Sequence, residues 1–227
     1  VWPHRDEWWR IIADLKQLKD IATDENPNVP YFVLGHSMGS FLARTFITKY
    51  STEISGVIIS GTGTNPTAVL RFGKFIANIA CTFEGCRSNA KLLDKLSFGG
   101  YNKGYNAPYQ WLSRDDAQVK KYIADELCGG LFSNSFYRGF FKGLIYINKR
   151  SSGAMINKNL KMFFVSGEKD PVGNCGRGVE EAVEFYRDQR IANIQLKLYP
   201  NARHEILNEI NREEVYNDLL KWIIDNQ

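Results

Sequence analysis

The stretch "YFVLGHSMGSFLARTFITKY", residues 31–50, constrains this chain more than any other. It opens on the apolar run "YFVLG", bounded by the turn-forming "NPNVP" and by a glycine, which is the pattern of a short strand buried on both faces of a parallel sheet. It continues as "SFLARTFITKY", where Phe41, Leu42, Thr45, Phe46 and Lys49 recur at helical spacing. Between strand and helix stand Gly35, His36, Ser37, Met38 and Gly39, so the spacing places Ser37 on a tight strand-to-helix turn.

The rest of the chain repeats the alternation. "SGVIISG" (55–61), "KMFFVSG" (161–167) and "IQLKLYP" (194–200) read as further buried strands, and helical patterns cover 6–23, 176–189 and 205–225. Strands alternating with helices predict an α/β fold with a mostly parallel, doubly wound sheet. Between the second and third strands lie far more residues than a strand-helix-strand crossover needs. That stretch is expected to be a helical cap insertion at 64–157, dividing the core into a first part, 1–63, and a second, 158–227. Short helical patterns at 68–83, 117–128 and 136–148 fall inside it, as do many aromatics, among them Tyr101, Trp111, Phe136, Tyr137, Phe140 and Phe141. Most of these rings are expected to form the cap's own core, and together they could line an apolar slot for an acyl chain.

Composition excludes several classes. With 44% hydrophobic and 24% charged residues over 227 positions, the chain suits a globular protein with one good core. A net charge of +4, with basic and acidic residues interspersed, gives no stripe for nucleic acid. Cys81, Cys86, Cys128 and Cys175 form no CxxC pair and accompany no histidine cluster, so reduced, mostly packed thiols are expected and no metal site. No signal-peptide order and no apolar run long enough to span a bilayer is present, which makes a cytoplasmic location the default expectation.

A serine on a strand-to-helix turn, with glycines two before and two after it where side chains would clash, is the requirement of an α/β-hydrolase nucleophile. Gly35, Ser37 and Gly39 meet it, and the turn aims the Met38 N–H, at the start of the helix, toward a developing oxyanion. The base is sought among three histidines. His4 precedes the first helix, His36 adjoins the nucleophile and is expected to pack away from it, and His204, in "YPNARHEIL", follows the last strand. His204 is therefore the expected base, its Nε2 about 2.6–3.2 Å from Ser37 Oγ or somewhat farther without ligand. The acid belongs on the loop after the preceding strand, where "GEKDPVG" offers Asp170, with Glu168 as competitor.

On "GHSMGSFLAR", "SGEKDPVG" and "YPNARHEILNE", the chain resembles the monoacylglycerol-lipase and lysophospholipase-like branch of the serine α/β-hydrolases. The resemblance implies hydrolysis of a single-chain lipid ester through an acyl-enzyme on Ser37, with no metal or cofactor. The partner is then a small-molecule lipid ester, and transient contact with a membrane surface stays open. Substrate-binding residues and oligomeric state carry no mark in the sequence. A short-chain esterase, an aminopeptidase on the same fold and a catalytically weak binding protein are the competing readings. Members of this branch begin with strands upstream of the helix that opens here, and a loop there gives a second oxyanion donor. Further residues upstream of Val1 are accordingly expected in the native protein.

Overall fold

The computed structural model describes residues 7–227; His4 and the predicted helix start at residue 6 lie outside the described residues. Among the described residues four strands, β1 (Phe32–His36), β2 (Gly56–Ser60), β3 (Lys161–Gly167) and β4 (Ile194–Tyr199), form one sheet in the order β1-β2-β3-β4. All three pairings are parallel. β2 is buried at every position and β3 at all but its first, as continuous apolar runs in a sheet covered on both faces should be.

Alternation along the strands sorts the core onto two sides. Val57, Ile59, Met162 and Phe164 pack with Ala43 and Ile47 of α2 (Met38–Tyr50) and with Val179, Val183 and Tyr186 of α8 (Arg177–Asp188). Ile58, Phe163 and Val165 face the other way, toward Val215, Leu219 and Trp222 of α9 (Arg212–Asp225). The Trp222 ring stacks on Phe163 with centroids 5.6 Å apart. Helices on both faces make the sheet doubly wound, and the fold is that of an α/β-hydrolase.

α1 (Glu7–Glu25) uses Trp8 and Ile12 to join Phe41, Leu42 and Phe46 of α2, and Trp8 Nε1 donates to Thr45 Oγ1 at 3.1 Å. Between β2 and β3 the chain forms α3 (Thr67–Ala80), a π-helical turn at Cys81–Gly85, α4 (Lys91–Phe98), α5 (Asp116–Ala124), α6 (Asn134–Ile147) and α7 (Arg150–Ala154). The helical patterns at 68–83, 117–128 and 136–148 thus correspond to α3, α5 and α6, while α4 and α7 are too short to stand out as periodicity. Tyr137 and Phe136 pack with Ala77, Ala90 and Leu93, and Leu144 and Ile147 of α6 reach the α1–α2 cluster.

The structure departs from the sequence pattern at the start of the last helix and at one cysteine. The last helix starts at Arg212, not at residue 205, because the chain after β4 first makes a loop and a 3₁₀ turn at Ile206–Asn208 around the buried Glu209 carboxylate. All four cysteines are free; Cys81, Cys86 and Cys128 are half-buried, and Cys175 alone is exposed. Among the described residues no helix is long and apolar enough to cross a membrane.

Candidate active site

β1 ends at His36 and α2 begins at Met38, leaving Ser37 alone to reverse the chain. Its φ of 54° and ψ of −120° put a side-chain-bearing residue where glycine is favoured, at a cost of about 1–3 kcal/mol. Three bonds hold it there: Ser37 N–H donates to Ser60 O at 2.9 Å, and Ser37 O accepts from Ser40 N–H at 2.9 Å and Ser40 Oγ at 2.6 Å. A Cβ on Gly35 would lie 2.3 Å from Gly39 O and 2.9 Å from Ala43 Cβ, so α2 can leave β1 this steeply only over a glycine. Gly39 departs from expectation, since a Cβ there would meet nothing within 4 Å. It is the Gly39 carbonyl that crowds β1, and the Gly39 side-chain position opens onto space. Met38 is the first residue of α2, where backbone N–H groups have no intrahelical partner and the helix dipole is positive.

Asp170, four residues after a buried Ser166, is wholly buried on the loop that follows β3. Its Oδ2 accepts from His204 Nδ1–H at 2.9 Å and from Ser166 Oγ at 3.1 Å, and its Oδ1 accepts from Val172 N–H at 2.9 Å. The two loops can meet because Gly167 has no side chain: a Cβ there would lie 2.2 Å from both Ala202 O and Arg203 O. Lys169 N–H donates to Ala202 O at 2.8 Å, closing the crossing. The competitor Glu168 is exposed and turned to the neighbouring turn, where its Oε2 accepts from Asn201 N–H at 3.2 Å.

His36 packs, as expected, but against the site and not away from it. Its ring centroid is 4.7 Å from that of His204 at a 42° tilt, and its Nδ1 is 3.0 Å from Ser60 Oγ. Burial first, and the neighbouring His204 second, hold its pKa down at about 4. Gly61, at φ +59°, makes room for both rings, since a Cβ would stand 3.0 Å from Cε1 of each histidine. From the segment between β2 and β3, the Trp111 ring lies 5.1 Å from His204, with Tyr101 edge-on to Trp111 at 5.1 Å. Burial, helped by the Asp170 charge, pushes the Tyr101 hydroxyl up to about 12. Gly61 is not among the residues singled out from the sequence, where the glycine in "IISGTG" is its one available mark, and nothing near Trp111 in sequence points to His204.

The structure therefore gathers Ser37, His36, Asp170 and His204 at the carboxyl ends of the parallel strands. Among the described residues no hydrogen bond joins Ser37 Oγ to His204. Such bonds are often long in unliganded sites and tighten around substrate. Clefts of about 480 Å³, between β4 and α9, and about 300 Å³, beside Arg44 and Phe185, are lined by none of Ser37, Asp170 and His204. Among the described residues no group of three or more histidine, cysteine, aspartate or glutamate side chains could hold a metal ion.

A doubly wound parallel sheet with a strained serine between β1 and α2 defines an α/β-hydrolase. Within that class the chain belongs to the serine aminopeptidase S33 family, which it matches over residues 3–211. It is similar to a monoacylglycerol lipase of Mycolicibacterium smegmatis, 26% identical over 225 residues that cover 98% of this chain and 72% of that protein. It is likewise similar to the monoglyceride lipase of Saccharomyces cerevisiae, at 27% identity over 235 residues, 95% of this chain and 67% of that protein. In fold it resembles a thermostable carboxyl esterase from Bacillus coagulans, with a TM-score of 0.88 at 22% identity over 96% of this chain and 72% of the other. The crystal structure of a soluble variant of the yeast monoglyceride lipase gives a TM-score of 0.72 at 20% identity, covering 100% of this chain and 71% of that one.

Proposed function

We propose that the chain is a serine-dependent carboxylic ester hydrolase acting on single-chain lipid esters of monoacylglycerol or lysophospholipid type. The observation that carries this reading is the buried 2.9 Å Asp170–His204 hydrogen bond beside a serine held at φ 54°. An ionised carboxylate on Nδ1 makes that nitrogen the donor and leaves Nε2 free to accept a proton.

In this reading Ser37 Oγ attacks the ester carbonyl carbon while His204 Nε2 takes the serine proton. The carbonyl oxygen becomes an oxyanion, which the Met38 N–H stabilises at the start of α2; one such donor contributes about 2.7–4 kcal/mol in a comparable hydrolase. Collapse breaks the bond to the alcohol, which leaves with the proton from His204, and Ser37 keeps the acyl group. Water, giving its proton to His204, attacks the acyl-enzyme; the acid departs and the proton returns to Ser37. Asp170 stays ionised throughout and stabilises the imidazolium. No step calls on a cofactor.

The lipid class is supported by the names of the mycobacterial and yeast relatives and by the aromatic rings, Trp111 and Tyr101, that the inserted region brings to His204. The family description favours a second reading, an aminopeptidase, in which the same acyl transfer releases an amine. The test is a chain-length series of p-nitrophenyl esters, followed by a monoacylglycerol, a lysophosphatidylcholine and an aminoacyl p-nitroanilide. Turnover that rises with acyl length and extends to a single-chain lipid supports the proposal. Preference for the anilide, or for acetate over all longer esters, overturns it.

A further inference from the structure

One hydrogen bond from Nδ1 to a carboxylate fixes a point on the His204 ring, not its plane. The ring can still tilt about the line to Asp170 Oδ2, and a tilt moves Nε2 relative to Ser37. Two aromatic neighbours limit that freedom, His36 at 4.7 Å and Trp111 at 5.1 Å. They come from different parts of the chain. His36 closes β1 and is tied to Ser60 Oγ at 3.0 Å, while the Ser60 carbonyl holds the amide of Ser37, so a single residue of β2 anchors both sides of the turn.

Trp111 lies in the turn-rich segment 99–115, outside any helix or strand, and something else must hold it. That anchor is the loop carrying His204. His204 N–H donates to Trp111 O at 3.3 Å and Glu205 N–H to Leu112 O at 2.7 Å, and Arg203 Nη1 donates to Gln110 O and Ser113 O at 2.5 and 2.8 Å. At the centre lies Glu209, with no exposed surface. Its Oε1 accepts from Arg203 N–H at 2.8 Å and Arg114 N–H at 3.1 Å, and its Oε2 accepts from Arg114 Nε at 2.8 Å and Ile210 N–H at 3.1 Å. A single buried carboxylate thus joins the residue before His204 to the residue three after Trp111. Buried charges of this kind persist only when every lone pair is used, and here each oxygen has two donors.

We propose that His36 and Trp111 are positioning residues that hold the His204 imidazole in the plane joining Asp170 to Ser37, with Glu209 locking Trp111 in place. The inference rests on the reading of His204 as the general base. It gives the inserted region a part in the chemistry besides any part in binding: displacing the 110–115 segment would release the base.

The test compares His36→Ala, His36→Phe, Trp111→Ala, Trp111→Phe and Glu209→Gln with the unaltered chain. Two readouts are taken: the downfield proton resonance of a histidine Nδ1–H bonded to a carboxylate, and kcat and KM on the p-nitrophenyl ester it cleaves best. The alanine variants and Glu209→Gln are expected to broaden or lose the resonance and to lower kcat by about 10- to 100-fold, the scale of a roughly 1 Å misplacement, with KM little changed. The phenylalanine variants keep a ring and are expected to recover the resonance and most of kcat. A sharp resonance with unaltered kcat in either alanine variant, no rescue by phenylalanine, or no such resonance in the unaltered chain would overturn the proposal. A resonance that follows this pattern in a chain that cleaves no ester would support the positioning and refute the proposed function alone.

Discussion

Asp170 Oδ2 and His204 Nδ1 lie 2.9 Å apart with both side chains buried, 34 residues apart in sequence and joined by loops that cross over Gly167. A carboxylate there fixes the tautomer of the imidazole; an amide of the same shape presents either a wrong donor or a weaker acceptor. Asp170→Asn is therefore expected to keep the fold and lower ester turnover by about 10⁴. Steady-state kinetics beside a circular dichroism spectrum check it. Retention of more than a tenth of turnover would remove Asp170 from the proposed mechanism.

The two glycines that flank Ser37 are expected to respond in opposite ways. Gly35→Ala drives a Cβ to 2.3 Å from a backbone oxygen of α2, which cannot rotate away, and should cost about 1–3 kcal/mol or more together with activity. Gly39→Ala enters open space inside a helix and should be neutral or stabilise by up to about 1 kcal/mol. Urea midpoints of the two variants, at unchanged slope, decide this. Equal losses would mean that the turn is not shaped as described.

His36 gives the fold an acid sensitivity of defined sign. In the folded chain its pKa is about 4, below the ordinary 6.5, so between these values the unfolded chain binds the extra proton. Stability from this group is fully present above pH 6.5 and is lost as the pH falls toward 4, with a full effect of about 3 kcal/mol. His36→Phe, which keeps a ring against His204 without a titrating nitrogen, should flatten unfolding free energy against pH over that window. An unchanged slope would assign the acid sensitivity elsewhere.

Much of this arrangement was legible in the chain because it rests on short-range patterns. Buried strands announce themselves as apolar runs, and Gly35 before a serine and a helix marks a turn with no room for a side chain. Asp170 and His204 stand where strand ends must bring them. What was not legible depends on contacts between distant segments. Gly39 looks like the partner of Gly35, yet only the backbone path of α2 shows that one is crowded and the other free. The late start of α9 follows from Glu209 collecting amides from Arg203 and Ile210, and no local preference encodes that. Trp111 is one aromatic among many between β2 and β3, and its place beside His204 depends on the same buried carboxylate.

Whether Ser37 is an activated nucleophile is decided by exposing the chain to a fluorophosphonate probe and mapping the adduct by peptide mass spectrometry. A single rapid adduct on Ser37 is expected, missing from Ser37→Ala and strongly slowed in His204→Ala. Failure to label a folded chain, or an adduct on another residue that persists in Ser37→Ala, would contradict it.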